Sequence, residues 1–429
     1  MIGVLILTLL ILLFLTVPIF AALALSALVV FAIYFPGQGM DLMLAQSMVK
    51  SCDSFPLMAI PFFMLVGTLM SKGGLAKKLV DIAEAFTGNS AGGLGTAAIV
   101  ASMLFAAISG SGPATAAAIG GIMIPAMAKQ GYGKEYSASL LAAGSTIGPV
   151  IPPSIPMIMF AVTIGCSTTT LFMAGVIPGL LMGVGLIVYN KWISKRKDYR
   201  GENLSEEKGS KAKTIKEGIW ALLMPVIVLG GIYSGIFTPT ESAVVGVVYS
   251  LAVSKFIYKT LTWQGLKESL VDAAITSATI MILFGGANTF GRILTLGDIP
   301  ATIAGGILSV TSSKIVIMIL INLILLVVGM FIDTNSSVIL FAPIVVPLLT
   351  QLGYHEIFIG VMMVVNLCIG MLTPPLGPNL FITMRIGGVS LEKTLPSALA
   401  TIVILYIVLA VMIIFPELVL CLPRLLGMI

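Results

Sequence analysis

The stretch GPVIPPSIPM at residues 148–157 decides the fold, because four prolines in ten residues interrupt a long apolar segment. Proline removes a backbone hydrogen-bond donor and blocks the continuation of a helix. The surrounding segment from Tyr136 to Asn190 carries no Asp, Glu, Lys or Arg. The pattern predicts a helix broken at membrane depth, where the freed backbone groups need protein, water, an ion or a substrate as a partner.

The same break recurs in the second half of the chain, as TPPLGPNLF at residues 373–381. Pro153 corresponds to Pro375, a separation of 222 positions (375 − 153), and seven more residues match at that separation without a gap. The other matches are Pro125 with Pro347, Gly131 with Gly353, Tyr132 with Tyr354, Gly148 with Gly370, Pro152 with Pro374, Pro156 with Pro378 and Gly165 with Gly387. The sequence therefore predicts two repeated halves.

Each break is preceded by an apolar stretch that small polar residues interrupt. The first interruption is SGSGPAT at residues 109–115, and its counterpart is FIDTNSS at residues 331–337. The pieces on either side are shorter than the roughly 20 residues that a membrane crossing needs. We therefore expect two re-entrant helical hairpins, each entering and leaving the membrane on one side.

The number of crossings between the hairpins predicts their relative orientation. Five segments lie between them, at about residues 135–165, 171–190, 219–237, 241–258 and 268–290. An odd number of crossings puts the hairpins on opposite faces, which makes the repeats inverted. The basic residues Lys129, Lys134, Lys255, Lys259 and Lys267 then lie inside, as the positive-inside tendency favours, and Arg292 is the exception.

Composition excludes a soluble enzyme. The chain has 429 residues, of which 58% are hydrophobic and 10% are charged, whereas soluble domains carry about 25% charged residues. Ser111 does not fit an intramembrane serine hydrolase either. A nucleophile elbow needs a glycine two positions before the serine, where Ser109 lies. His355 is the only histidine that could act as its base.

Positive charge is concentrated in a loop at residues 191–217, which indicates a cytoplasmic connection and no nucleic-acid function. The fold class is an all-α polytopic membrane protein, and inverted repeats with broken segments are typical of secondary transporters.

The tips and breaks are the candidate site, because glycine lets backbone approach a ligand and half-helix ends attract ions. The alternative is ordinary packing of small residues between helices. The predicted sodium ligands are Ser109, Gly110, Ser111, Gly148, Asp333, Thr334, Asn335, Gly370 and Thr373. The predicted substrate-binding residues are Thr115, Ser154, Ser337, Asn379 and Arg385.

Two charged candidates each have a second interpretation. Asp333 lies in a run without other charges from Ile315 to His355, so it is either an ion ligand or the cap of the following half-helix. Arg385 either pairs with a substrate carboxylate or anchors the cytoplasmic end of a span.

The motifs SGSGPATAAAIG, GPVIPPSIPM, DTNSS and TPPLGPNLF resemble the large membrane subunit of tripartite ATP-independent periplasmic (TRAP) transporters, over essentially the whole chain. The resemblance implies an elevator transporter of the bacterial inner membrane, driven by a sodium gradient. It also implies a four-helix small membrane subunit, a periplasmic binding protein and contact with membrane lipid. Residues 374–388 resemble the sialic acid branch, with C4-dicarboxylates as the other substrate class.

The elevator plan divides the chain into scaffold and transport segments. The first repeat spans residues 1–190 and the second spans residues 218–415, with the tail at 416–429. The scaffold segments are 1–92 and 218–313, and the transport segments are 93–190 and 314–415. A binding-protein-independent carrier or antiporter is the alternative function, and a channel is a further one.

Overall fold

The fold was analysed in a computed structural model, which describes residues 1–35, 40–87, 90–199, 211–299, 302, 305–306 and 313–429. Over these residues the chain is helical and has no strand. The helices are α1 Ile2–Phe14, α2 Ile19–Tyr34, α3 Met40–Cys52, α4 Ala59–Lys72, α5 Leu75–Thr87, α6 Gly93–Ser109, α7 Gly112–Lys129, α8 Lys134–Ser145, α9 Ile155–Ile164, α10 Thr168–Arg196, α11 Lys211–Tyr233, α12 Pro239–Ala252, α13 Trp263–Leu296, α14 Lys314–Phe331, α15 Thr334–Gln351, α16 Glu356–Gly370, α17 Pro378–Gly387, α18 Leu391–Ile414 and α19 Glu417–Leu425. A 3₁₀ turn at Phe55–Met58 leads into α4, and a π turn at Val253–Ile257 extends α12.

Eight helices in the described part of the chain are long and apolar enough to cross a membrane. They include α10, α11, α13 and α18, whose apolar side chains remain exposed on the outer surface. Exposed apolar surface of this extent suits hydrocarbon and not water. The prediction of an all-α polytopic membrane protein is confirmed.

Both interrupted segments form pairs of helices, and α14 and α15 are among the eight that are long and apolar enough to cross a membrane. Helices α6 and α7 have 17 and 18 residues, and α14 and α15 have 18 residues each. Helices α8 and α9 are separated by the first break, and α16 and α17 by the second. Both breaks contain a cis peptide bond, at Pro152–Pro153 and at Pro374–Pro375. The inverted orientation and the scaffold and transport boundaries stay predictions.

The half-helix after each break packs against the hairpin of the other half of the chain. Helix α17 contacts α7 and α8, and α9 contacts α15. Helix α10 contacts α6, α18 and α19. This crosswise packing brings the tips and breaks of the two halves into one core.

The segment predicted as a cytoplasmic loop, residues 191–217, begins and ends in helix in the structure. Helix α10 continues through Lys191 to Arg196, and α11 already begins at Lys211. Lysine and arginine are good helix formers, so charge alone did not mark the helix ends. Residues 200–210 of the predicted loop lie outside the described residues.

The predicted tail at residues 416–429 contains helix α19, which packs against α10. Val419, Leu420 and Pro423 are its buried residues. Burial of this apolar stripe explains why the segment is helical.

Candidate functional site

The first hairpin turns within two residues. Gly110 has φ of 59°, a left-handed conformation that glycine adopts without a Cβ penalty. Ser111 then caps α7 by accepting a hydrogen bond from the Ala114 amide at 3.4 Å. The fully buried Thr115 hydroxyl donates to the Ser111 carbonyl at 2.8 Å and lies 3.2 Å from the Ser109 hydroxyl. The tip is thus a compact group of buried hydroxyls.

The first break encloses this tip. A Cβ on Gly148 would lie 2.8 Å from the Ser111 carbonyl oxygen and 3.0 Å from the Thr115 hydroxyl. A Cβ on Gly110 would clash with the Pro153 carbonyl oxygen. The predicted proximity of tip and break in the first half is therefore present.

The Ser154 hydroxyl has two hydrogen-bond partners close to it in the chain. Its hydroxyl donates to the Pro149 carbonyl and accepts from the Met157 amide at 3.2 Å. It therefore caps α9 and fixes the shape of the break. Its predicted role in substrate binding stays a prediction.

The first tip also meets the predicted scaffold. A Cβ on Gly67 of α4 would lie 3.3 Å from the Ser109 Cβ. Helix α4 and the end of α6 therefore pack closely against each other at this point.

Asn379, at the start of α17, closes the tip from the second half of the chain. A Cβ on Gly112 would lie 2.8 Å from Asn379 Nδ2 and 3.2 Å from Oδ1. Asn379 is fully buried, and neither side-chain polar atom has a hydrogen-bond partner among the described residues. An unpaired buried amide is costly, which makes the Asn379 side chain a candidate ligand-binding group.

The second tip has a different local structure. Asp333 caps α15, because Oδ2 accepts from the Asn335 amide at 3.0 Å and from the Ser336 amide at 3.2 Å. Oδ1 accepts from the Ser336 hydroxyl. Asp333 is exposed, and the buried Oδ1 of Asn335 has no partner among the described residues. The cap interpretation of Asp333 is present in the structure, and its role as an ion ligand stays open.

The remaining candidates of the second tip are buried at the start of α15. Thr334 lies beside the thiol of Cys368, which α16 supplies. The Ser337 hydroxyl donates to the Ile332 carbonyl at 3.5 Å. The second tip therefore contacts α16, which leads into the second break.

The second break is closed by backbone contacts. A Cβ on Gly370 would lie 2.5 Å from the carbonyl carbon of Gly329, so α14 and α16 touch directly there. The Thr373 hydroxyl donates to the Ile369 carbonyl at 2.9 Å. The backbone N–H of Asn379 donates to the Met371 carbonyl at 3.1 Å, which folds the break back on itself.

The two breaks differ in exposure. Residues 141–160, which contain the first break, are all buried, whereas Pro375 and Leu376 of the second break are exposed. Arg385 is also exposed, in the last turn of α17. It lies six residues after Asn379, about 9 Å along the helix axis. The described contacts do not bring Arg385 to the buried amide.

A buried asparagine pair was missed from the sequence. Asn366 Nδ2 of α16 donates to the Asn322 side-chain oxygen of α14 at 2.7 Å and to its carbonyl at 3.0 Å. The fully buried Oδ1 of Asn366 has no partner among the described residues. The sequence signal for this pair is one asparagine within each of two otherwise apolar helices.

The candidate ion-binding groups at the tips and breaks are oxygen atoms. The described residues hold no group of three or more His, Cys, Asp or Glu side chains that could bind a metal. His355, the single histidine, caps α16 by accepting from the Ile357 amide at 3.2 Å. Hydroxyl, carboxamide and carbonyl oxygens of this kind suit a hard cation and not a transition metal.

The sequence profile of the family "Tripartite ATP-independent periplasmic transporter, DctM component" matches residues 6–418. The chain belongs to this family. It is therefore a TRAP transporter large permease, a multi-pass membrane protein and not an enzyme, as the sequence predicted. A tripartite system of this kind includes a small permease subunit and a periplasmic binding protein.

Several relatives align with most of the length of this TRAP permease. The isethionate TRAP transporter permease protein DctMQ of Oleidesulfovibrio alaskensis is 40% identical over 367 residues, which cover 86% of this chain and 58% of that protein. The sialic acid permease SiaM of Vibrio cholerae is 37% identical, with 89% of each chain covered. The C4-dicarboxylate permease DctM of Pseudomonas aeruginosa is 38% identical, with 90% of each covered.

A solved transporter shares the fold of the permease. The YdaH transporter of Alcanivorax borkumensis superimposes with a TM-score of 0.64 over 93% of this chain and 98% of that one. The two sequences are 13% identical, so the likeness concerns the fold alone.

Proposed function

We propose that this permease is the translocating subunit of a sodium-coupled uptake system for a small organic anion delivered by a periplasmic binding protein. The observation that carries the proposal is the Asn379 amide. It is fully buried where the first hairpin tip meets the second break, and both of its polar atoms lack a partner among the described residues. A transport site that holds and releases a polar ligand needs such unpaired groups.

The proposed anion is supported by the donors at this join. The Asn379 side chain offers N–H groups, and the half-helix α7 begins at Gly112 with its positive end at the tip. The relatives are named for isethionate, sialic acid and C4-dicarboxylate, which are all anions. Their shared chemistry is a sulfonate or carboxylate on a small polar molecule, and sialic acid is the member that residues 374–388 favour.

Sodium as the coupling ion is supported by the oxygens of the tips and breaks. Among the predicted sodium ligands, the Ser109 hydroxyl and the unpaired amide oxygen of Asn335 are the hard oxygens that sodium prefers. The unpaired amide oxygen of Asn366 is an oxygen of the same kind that the sequence did not single out. Helix breaks add backbone carbonyls that hydrocarbon cannot satisfy. A cation beside the anion site would also lower the cost of burying the substrate charge.

An elevator movement is supported by the distribution of ion pairs. Lys72 of α4 pairs with Glu268 at 3.0 Å and Asp272 at 2.9 Å, both on α13. Lys78 of α5 pairs with Glu217 of α11 at 2.9 Å. The first two bridges lie within the predicted scaffold, and the third joins the scaffold to the end of the predicted cytoplasmic loop. None of them would oppose displacement of the hairpins and broken helices.

Reconstitution separates the proposed function from its alternatives. The permease would be placed in liposomes with its small membrane subunit, proposed to have four helices, with and without the binding protein and a sodium gradient. Accumulation that needs both is the expected result. Uptake without the binding protein would identify an independent carrier, and flux that neither saturates nor follows the gradient would identify a channel.

A further inference from the structure

A cavity of about 520 Å³ opens on the predicted cytoplasmic face, among the helices of the predicted scaffold. Helices α5 and α11 form two of its walls, and the segment after the π turn forms the third. Its lining residues are Gly74, Lys77, Lys78, Asp81, Lys216, Glu217, Trp220, Ile257, Tyr258 and Thr260. None of these residues belongs to the hairpins or breaks.

Within the part of the chain that the structure describes, one of the three lysines that line this cavity forms an ion pair, and the other two do not. Lys78 pairs with Glu217 at 2.9 Å, and the Tyr258 hydroxyl donates to the Glu217 carbonyl at 3.0 Å, which holds the walls together. Lys77 and Lys216 are exposed and make no ion pair among the described residues. Asp81, one turn from Lys77, is the other carboxylate of the lining. The cavity therefore presents a net positive charge carried by lysines from two helices.

An apolar rim joins this basic cavity to the membrane-facing surface. Trp220 is 41% exposed and Ile257 is 42% exposed, and both line the cavity on segments long and apolar enough to cross a membrane. Tryptophan is enriched at the level of the lipid headgroups. A second cavity of about 390 Å³, lined mostly by apolar side chains including Phe256 and Trp263, adjoins the same segment. A small soluble anion would make no favourable contact with this apolar surface, whereas the acyl chains of a lipid would.

We propose that the cavity binds the phosphate headgroup of an anionic phospholipid of the cytoplasmic leaflet. The phosphate would lie between Lys77 and Lys216, and the glycerol and upper acyl chains would lie against Trp220 and Ile257. Basic pockets between membrane helices on the cytoplasmic side are suited to such headgroups. A bound lipid would bridge α5 and α11 in parallel with the Lys78–Glu217 ion pair.

Native mass spectrometry of the full-length permease in nanodiscs tests this site. The nanodiscs would contain phosphatidylethanolamine alone or mixed with phosphatidylglycerol. In the Lys77→Gln/Lys216→Gln variant we expect the affinity for retained phosphatidylglycerol to fall about thirtyfold, because each lysine contributes roughly fivefold. The Lys77→Arg/Lys216→Arg variant keeps both charges and should retain the lipid.

The control removes the same charge elsewhere on the basic face. Lys191 and Lys195 are exposed one turn apart on α10, and neither lines the cavity. Lys191→Gln/Lys195→Gln should retain phosphatidylglycerol as the unaltered protein does. Equal loss in both glutamine variants would overturn the proposal in favour of diffuse surface charge. Displacement of the lipid by millimolar inorganic phosphate would overturn it in favour of a soluble anion.

Folding is checked in the same nanodiscs. All variants should melt at the same temperature in phosphatidylethanolamine alone, because the substituted side chains are exposed. Phosphatidylglycerol should raise the melting temperature of the unaltered protein and of the arginine variant, but not that of Lys77→Gln/Lys216→Gln. A rise of equal size in every variant would refute a lipid held by these two lysines.

Discussion

The Asn379 side chain lies against the Cα of Gly112, with Nδ2 2.8 Å from the position of an added Cβ. These residues are 267 positions apart (379 − 112); Gly112 is the first residue of α7 and Asn379 is the second residue of α17. The contact therefore joins the first hairpin tip to the second break without an intervening side chain. Any ligand held by the Asn379 amide would be sensed by both halves.

Gly112→Ala tests whether this close approach matters for transport. The methyl group would displace the Asn379 amide, and overpacking of about 1–3 kcal/mol should lower uptake roughly tenfold or more. Alanine is the better helix former by about 1 kcal/mol, so the melting temperature should change little. Gly121→Ala is the matched control, because a Cβ there meets nothing within 4 Å. Equal uptake by Gly112→Ala and the control would contradict the prediction.

Asn379→Leu asks whether the buried amide serves the fold or a ligand. Removing an unpaired buried polar group should leave stability unchanged or raise it. Substrate uptake should be abolished if the amide binds the ligand. The measurements are the melting temperature and uptake by the reconstituted permease.

Asn190→Leu supplies the contrast for this variant. The Asn190 amide donates to the Gly92 carbonyl at 2.8 Å and to the Thr96 hydroxyl at 3.0 Å, and it accepts from the Tyr136 hydroxyl at 2.9 Å. Its loss should cost roughly 1–3 kcal/mol of unfolding free energy. A larger loss of stability in Asn379→Leu than in Asn190→Leu would assign Asn379 to the fold.

The positions of both breaks and both tips followed from the sequence, because proline and glycine act locally on the backbone. The contact of Asn379 with Gly112 did not follow, since it depends on crosswise packing of α17 against α7. Asn379 itself was a substrate candidate, whereas its unpaired state could be seen only in three dimensions. Asn322 and Asn366 were missed because neutral amides do not interrupt an apolar pattern as charges do.

The hairpin orientations are tested with single cysteines in a chain whose four native cysteines are replaced. Ser90 and Lys129 are exposed and flank the first hairpin, and Lys314 and Gln351 are exposed and flank the second. The first pair should react with an impermeant reagent from the cytoplasm only, and the second from the periplasm only. Gly92 is unsuitable, because its φ is 74° and an added Cβ would meet the Ser194 hydroxyl at 2.7 Å. Labelling of both pairs from the same side would exclude inverted repeats.

Asp333 separates a helix cap from an ion ligand. Its carboxylate accepts from the amides of Asn335 and Ser336, so Asp333→Ala should cost about 1 kcal/mol by loss of the cap. Asp333→Asn keeps a side-chain acceptor for the cap but removes the charge, so stability should stay close to that of the unaltered protein. If the carboxylate also binds sodium, Asp333→Asn should raise the sodium concentration for half-maximal uptake, because a hard cation prefers the charged ligand.

The two measurements have to be read together for the Asp333 variants. A shifted sodium dependence in Asp333→Asn with an unchanged melting temperature would assign the carboxylate to the ion. An unchanged sodium dependence in Asp333→Asn, with a lower melting temperature only in Asp333→Ala, would make Asp333 a cap and nothing more. Neutral oxygen atoms would then have to hold the ion. The Oδ1 atoms of Asn335 and Asn366 are candidates, because both are buried and have no hydrogen-bond partner among the described residues. Asn366→Leu would next be expected to shift the sodium dependence.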